Sequence, residues 1–363
     1  MLVGVILSGE HVKMAQTEML ALLETYSVSY SSPMLDERIL IVSIGQDNSL
    51  ERIAQRAAFS HSILEIYELV DITQPDLNEE INRFIEQFDP LKSDLGKKNQ
   101  KKSFSVRFRS IGDFQGRSIR TRLRYEEHAA KLGEKIRKSS SALYVDLNNP
   151  TTKIEVLVTP KRIYCGKILF NIERTKIQKR TPSKRAFFHP ASMNPFILRG
   201  MINLSNVKEG DTVFDPFVGA GGVPIEALDM NIKVLGGEIK PKMLYGTRLN
   251  VEHFFGKESM KNVERIFMDA MAIPLQSETI QAIVTDPPYG INASLGGEEI
   301  EKLLEKTIEE CYRILKEKGR LILCAPSEVP LEAYAKKSGF KEIWKIYWHV
   351  HRSLTRKILV LEK

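Results

Sequence analysis

The feature that most constrains this chain is the alternation of short apolar runs with helical stretches across its second half. TVFDPFVG (212–219), KVLGGEI (233–239), VERIFMDA (263–270), AIVTDPPYG (282–290) and RLILCAP (320–326) read as strands, and helical stretches begin at Pro224 and run through Asn250 and Leu315. Parallel neighbours need a crossover between them, so this alternation predicts an α/β fold with a doubly wound parallel sheet covered by helices. Ligands of such folds collect at the carboxyl ends of the strands. Two aromatic and β-branched runs, IWKIYWHV and KILVLEK, end the chain and predict an antiparallel hairpin added to the sheet.

The first half has a different rhythm. LVGVIL (2–7), a helix within 16–24, SVSYS (27–31), RILIVSI (38–44), a helix over 49–59 and ILEIYELV (63–70) give the order β-α-β-β-α-β, the ferredoxin-like arrangement. A helix around 77–88 is followed by KSDLGKKNQKK (92–102), which has no apolar period and reads as an exposed loop. FSVRFR (104–109) alternates apolar with basic residues, as a strand with Arg107 and Arg109 on its wet face would. A helix is expected next, with Arg117, Arg120 and Arg124 on one face and Ile119 and Leu123 on another. IEVLVTP (154–160) and RIYCGKILF (162–170) close the half as strands, and a polar, basic segment containing Pro182 follows. The expected domains are residues 1–71, 72–170, a linker over 171–190, and 191–363.

Charge bears on partners. The 363 residues carry a net charge of +7, yet residues 97–138 hold 14 Lys/Arg against 4 Asp/Glu (+10) and residues 161–185 hold 9 against 1 (+8), leaving −11 for the remainder. A basic block on an acidic protein is either a solvated face or a surface for a polyanion, where each neutralised phosphate releases counterions. No apolar run has the length of a membrane helix, and the opening residues lack the flank and cleavage site of a signal peptide, so a cytoplasmic location is expected. Cys165, Cys311 and Cys324 have no CxxC spacing and no His cluster, so neither a metal site nor a disulfide framework is expected.

Two motifs carry the chemistry. FDPFVGAGGVP (214–224) joins a strand to a helix through glycines that let the main chain approach a ligand. A dinucleotide fingerprint needs a third glycine where this chain has Pro224, and Asp215 sets a carboxylate where a pyrophosphate would lie. A ligand bearing an ammonium and a sulfonium fits better. Glu238, about 20 residues on, is placed for ribose hydroxyls, and Asp269 for an adenine amine; the alternative for each is a cap or an exposed acid. TDPPYG (285–290) is the more specific signal. Its prolines fix an extended bend with few donors and exposed carbonyls, beside the carboxylate of Asp286 and the ring of Tyr289.

FDPFVGAGG paired with TDPPYG resembles the amino-methyltransferases, whose second motif is an Asp, Asn or Ser, two prolines and an aromatic ring. SFSVRFRSIGDFQGRS, VDLNNPTTKIEVLV and RIYCGKILF resemble the ferredoxin-like plus THUMP module of RNA-modifying enzymes. With FFHPASMNPFILRGMINL ahead of the glycine turn, the whole chain resembles the archaeal tRNA (guanine-10-N2)-methyltransferases. The resemblance implies a Rossmann-like class I methyltransferase domain after ferredoxin-like and THUMP domains, with S-adenosylmethionine as cofactor and tRNA as partner, in a monomer without metal. It implies that Asp286, Pro287, Pro288 and Tyr289 receive the base amine. It also implies that His189, Pro190, Met193, Asp215, Pro216, Gly219, Gly221, Glu238, Ile239, Asp269 and Ala270, with Asp286, surround the cofactor. Arg107, Arg109, Arg117, Arg120, Arg122, Arg124, Lys161, Arg162, Lys179 and Arg180 are the expected RNA contacts. Rival expectations are another tRNA guanine such as position 6, a DNA adenine or cytosine amine, a noncatalytic RNA-binding protein and, last, a nicotinamide dehydrogenase. A thiolase is excluded by the lack of a pyrophosphatase loop and paired cysteines.

Overall fold

The computed structural model describes residues 1–45, 48–90, 101–114, 124–288, 297–351 and 354–363. The chain forms two compact units: residues 1–12, 28–54 and 60–172 make the first, and residues 13–27, 55–59 and 173–363 the second.

An eight-stranded sheet organises the first unit. Its strands are β1 (Leu2–Leu7), β2 (Tyr30–Asp36), β3 (Ile39–Ile44), β4 (Ser60–Asp71), β5 (Lys102–Ser110), β6 (Leu143–Val145), β7 (Thr152–Val158) and β8 (Arg162–Asn171), in the spatial order β2-β3-β1-β4-β8-β7-β5-β6. The first four pair antiparallel in the ferredoxin-like order, and β4 also pairs antiparallel with β8, so one sheet spans residues 1–71 and the strands that follow. β5 pairs parallel with both β6 and β7. Helices α3 (Leu77–Gln87) and α4 (Tyr125–Lys138) supply Ile81, Phe84, Leu132 and Ile136 to a core shared with Phe104, Phe108, Val156 and Ile163. Asp76 caps α3 by accepting from Asn78 N and Glu79 N.

Three local expectations change. The strand expected at 27–31 begins at Tyr30, because Ser27 takes a positive φ of 58° and turns the chain before it extends. α4 begins at Tyr125, so Arg124 stands at its N-cap, outside a helical stripe, while Arg117, Arg120 and Arg122 lie outside the described residues. Arg109 is half-buried, because Glu155 on β7 draws its guanidinium inward to 2.5 Å.

The second unit holds a seven-stranded sheet of β9 (Thr212–Asp215), β10 (Lys233–Glu238), β11 (Val263–Phe267), β12 (Ile280–Thr285), β13 (Leu315–Pro326), β14 (Lys341–His351) and β15 (Leu354–Glu362). Their order is β11-β10-β9-β12-β13-β15-β14. The first five pair parallel, and β15 enters antiparallel between β13 and β14. Burial of a parallel sheet on both faces explains why Ala282–Thr285 and Gly319–Ala325 run without a wet position. α6 (Pro195–Leu204), α7 (Gly222–Asp229), α8 (Pro241–Phe255), α9 (Gly297–Ile314) and α10 (Leu331–Ser338) follow in sequence, and α9 and α10 pack Ile308, Cys311, Ile314 and Leu331 against the β9, β12 and β13 side chains.

This unit also includes residues 13–27 and 55–59, most of the first helix α1 (Val12–Thr25) and the end of α2 (Leu50–Arg56). A buried polar network holds them. The Glu18 carboxylate accepts from Ala58 N at 2.9 Å, Phe59 N at 2.9 Å and Asn203 Nδ2 at 2.7 Å. Arg56 donates to Val207 O at 2.7 Å, and Arg199 donates to Gln55 O at 2.7 Å and Arg56 O at 2.8 Å. The segment expected as a linker contains α5 (Arg174–Gln178), and the Arg180 guanidinium grips Glu226 through two 2.9 Å bonds. No described helix is long and apolar enough to cross a membrane.

Candidate active site

β9, β10 and β12 end at one edge of the second sheet, with β9 paired to both of the others. The chain leaves β9 towards β10 on one side and later returns to β12 on the other, so the edge above β9 is the point where strand order reverses.

Asp215 sits there, only 3% exposed. Its Oδ1 accepts from Thr285 Oγ1 at 2.7 Å and from Phe217 N at 3.1 Å. Burial pushes its carboxyl from the ordinary 3.8 up to about 7, and the carboxylates of Asp286 and Glu238 reinforce the rise. The turn that follows is fixed by backbone. Val218 N donates to Gly237 O at 2.9 Å and Gly221 N to Val218 O at 2.9 Å. Gly219 and Gly221 take φ of 53° and 82°, and a Cβ on Gly221 would lie 3.1 Å from Thr247 Cα, so a side chain at 221 would be strained in conformation and crowded against α8. Thr247 Oγ1 donates to Gly219 O at 2.7 Å from α8.

Glu238 receives the same turn from the next strand. Its Oε2 accepts from Gly219 N at 3.2 Å and its Oε1 from Lys240 N at 3.0 Å. A carboxylate has about four acceptor positions, so these two bonds leave capacity for hydroxyls. Asp269 is half-buried and forms a local turn, with Oδ1 accepting from Met271 N at 2.9 Å. Between these acids stands an apolar surface: Ile239 follows Glu238 and is 54% exposed, and Phe267, Glu238's register partner, is 65% exposed. Phe267 escaped the motif reading; its signal is an aromatic residue at a strand end two positions before an acid.

Asn250 is a second residue that motif reading misses. From α8 its side chain accepts from Phe187 N at 2.7 Å and donates to Phe187 O at 2.9 Å and to Ala220 O at 2.8 Å. The segment just before His189 is thereby tied to the glycine turn. His189 is half-buried, Pro190 exposed and Met193 buried, while Pro216 and Ala270 are buried beside Asp215 and Asp269.

The second motif leaves β12 at the same edge. Asp286 is half-buried, and its Oδ2 lies 3.1 Å from Nη1 of Arg356 on β15. Pro287 is buried and Pro288 exposed, whereas Tyr289 lies outside the described residues. Asp215, Glu238, Asp269 and Asp286 thus gather four acids at one edge, a donor set that repels a pyrophosphate and suits a cationic ligand.

The basic residues divide. Arg107, Lys161, Lys179 and Arg124 are exposed. Arg162 pairs with Asp71 at 2.7 Å, and Arg180 is 6% exposed and held by Glu226 and Asp229. Burial removes Arg180 from any RNA-facing surface.

Doubly wound topology with a glycine turn and clustered acids at the switch point defines a Rossmann-like methyltransferase. The RMKL-like methyltransferase domain family matches residues 182–358. A DNA methylase family model matches residues 41–248, a span that includes the glycine turn and stops short of Asp286. A tRNA (guanine(10)-N2)-dimethyltransferase of Methanothermobacter thermautotrophicus is 32% identical over 99% of this chain and 98% of its own. One of Methanocaldococcus jannaschii is 30% identical over the full length of both chains. The crystal structure of TrmN from Thermus thermophilus superimposes over 100% of both chains with a TM-score of 0.53 and 18% identity, a likeness of fold. The chain belongs to the tRNA (guanine(10)-N2)-dimethyltransferase family.

Proposed function

We propose that this protein transfers methyl from S-adenosylmethionine to the exocyclic amine of guanine 10 in tRNA, and repeats the transfer on the monomethylated amine. The supporting observation is the meeting of the two motifs: Thr285, the residue before Asp286, hydrogen-bonds Asp215 at the base of the glycine turn. The relatives' names carry the base and the position.

The residues fit the cofactor. Positive-φ glycines bring bare main chain to the edge, Glu238 and Asp269 offer acceptors, and Ile239 and Phe267 offer an apolar face to a purine ring. Asp215, whose carboxyl burial pushes up to about 7, gives its proton to solvent when a cation binds beside it and stabilises the carboxylate. The Asn250 clip ties Phe187, two residues before His189, to the glycine turn, which supports the assignment of His189, Pro190 and Met193, with Pro216 and Ala270, to the cofactor. When bound, the cofactor supplies a methyl activated by a sulfonium.

The amine of guanine is a poor nucleophile because its lone pair is delocalised into the ring. The Asp286 carboxylate and the Pro287 carbonyl accept its two hydrogens and turn the lone pair out of conjugation. By the family resemblance Tyr289, outside the described residues, is the ring assigned to stack on the base, and Pro288 sets the bend. As the methyl arrives, positive charge develops on the nitrogen beside Asp286, which stabilises it without reorganisation, and the nitrogen then releases one proton to solvent to leave a neutral amine. A monomethylated amine keeps one hydrogen for Asp286, so a second transfer retains that contact and gives up the one to the Pro287 carbonyl.

A guanine in a stem must leave its stack, at a cost of about a few kcal/mol. Residues 72–170, read as a THUMP-like module, supply distant contacts to offset that cost through Arg107, Arg124 and Lys161, joined by Lys179. Mass spectrometry of nuclease-digested tRNA after incubation with isotope-labelled cofactor tests the reading. Label on N2 of guanine 10, as one and then two methyls, is expected. Label on another guanine, on DNA amines or nowhere overturns it.

A further inference from the structure

The acid of the second motif is held by a strand that the motif does not contain. β15 runs antiparallel to β13, and their register sets Arg356 opposite Pro326, the last residue of β13, at the edge where β12 delivers Asp286. Alternation along β15 separates two consecutive cations. Lys357 pairs with Glu332 on α10, while Arg356 reaches Asp286 at 3.1 Å.

The Arg356 and Asp286 side chains are 18% and 19% exposed, so the pair is shielded from water far more than surface pairs such as Arg137–Glu134, and its attraction is correspondingly stronger. The surroundings make a cation there consequential. The Asp286 carboxylate lies close enough to Asp215 on β9 to help raise its carboxyl, and the Cys324 thiol on β13, which both Arg356 and Asp286 influence, is buried and protonated. Among these described groups Arg356 supplies the positive charge.

Resting on the reading of the site given above, we propose that Arg356 is a positioning residue for methyl transfer: its guanidinium fixes the orientation of Asp286 and keeps that carboxylate an acceptor for the target amine. A protonated carboxyl would point a donor at an amine hydrogen, and a rotated one would leave the lone pair in conjugation. Arg356 acts through Asp286 and contributes to the rate, with little effect on the grip on tRNA or cofactor.

The test uses the full-length protein, a tRNA transcript and labelled S-adenosylmethionine. Arg356→Gln is expected to lower kcat on the order of 10- to 100-fold, the cost of misplacing one reacting group. Its Kd for cofactor and its KM for tRNA stay within about threefold, because the glycine turn and the basic surface are untouched. Arg356→Lys, which restores the charge, recovers most of the rate. In an Asp286→Asn background, with no charge to hold, Arg356→Gln adds no further loss. Wild-type kcat in Arg356→Gln, a loss that appears in the Kd for cofactor or the KM for tRNA and not in kcat, or a loss that Lys does not rescue and that follows the unfolding midpoint overturns the proposal. If the wild type itself transfers no methyl, the functional reading falls and takes this proposal with it; if the wild type is active and Arg356→Gln equals it, only the proposal falls.

Discussion

The glycine turn and the turn after β12 are neighbours at one sheet edge, yet they are built on opposite principles. Around Asp215 the chain is locked by its own backbone: positive-φ glycines, a main-chain bond from Val218 N to Gly237 O, and a buried carboxyl pushed up to about 7 without an ion-pair partner among its described contacts. Around Asp286 the geometry rests on a side-chain ion pair with Arg356, 70 positions later. The first arrangement suits a ligand of one fixed shape, for which every degree of freedom can be removed in advance. The second suits an acceptor group that arrives on a large substrate and must be met by a charge that is aimed but still adjustable.

The largest expected effect falls on the adjustable side. Asp286→Ala should lower single-turnover methyl transfer by about 10²- to 10³-fold, the scale for losing a group that stabilises developing charge, while tRNA affinity in a filter-binding assay changes little. Equal losses in both would erase the distinction between the turns.

On the locked side, Asp215→Asn keeps an acceptor for Thr285 and Phe217 and removes the titration. The folded carboxyl binds its proton more tightly than the unfolded one, about 7 against 3.8. The stability owed to that proton is complete below the lower value and is lost as pH rises through the upper one. The variant should therefore gain on the wild type between about pH 5 and pH 8, by roughly 2–3 kcal/mol in urea unfolding, while binding S-adenosylmethionine more weakly. A difference that does not change with pH would mean that the carboxyl is ionised throughout.

Gly221→Ala sharpens the same point. A side chain at φ 82° facing Thr247 should cost about 1–3 kcal/mol in thermal unfolding, and cofactor affinity by calorimetry should fall with it. The smallest effect separates exposed from paired cations. Arg107→Glu should weaken tRNA binding roughly three- to tenfold at low salt and flatten its salt dependence. Arg162→Gln, which loses a charge already engaged by Asp71, should do less.

Much of the site was legible from residues 212–290 alone. Glycines at a strand–helix junction and an acid before two prolines are local signals, because φ preference and proline geometry act over two or three residues. Alternating apolar runs likewise placed β9 to β13. Arg356 was not legible, since its pairing depends on the register of β15 with β13, and nothing near KILVLEK marks it. Arg180 was misplaced by charge counting for a related reason: composition cannot tell a cation that faces solvent from one folded onto Glu226.

Sequence alone determined the chemistry available: a doubly wound sheet, a glycine turn, an acid–proline turn and a surplus of cations in the first half. These follow from local sterics and from periodicity, which each segment carries in itself. Tertiary structure decided which charges remain at the surface, which cation steadies Asp286, and that residues 13–27 and 55–59 belong with the second unit. Those outcomes depend on desolvation and long-range register, which are properties of the packed chain.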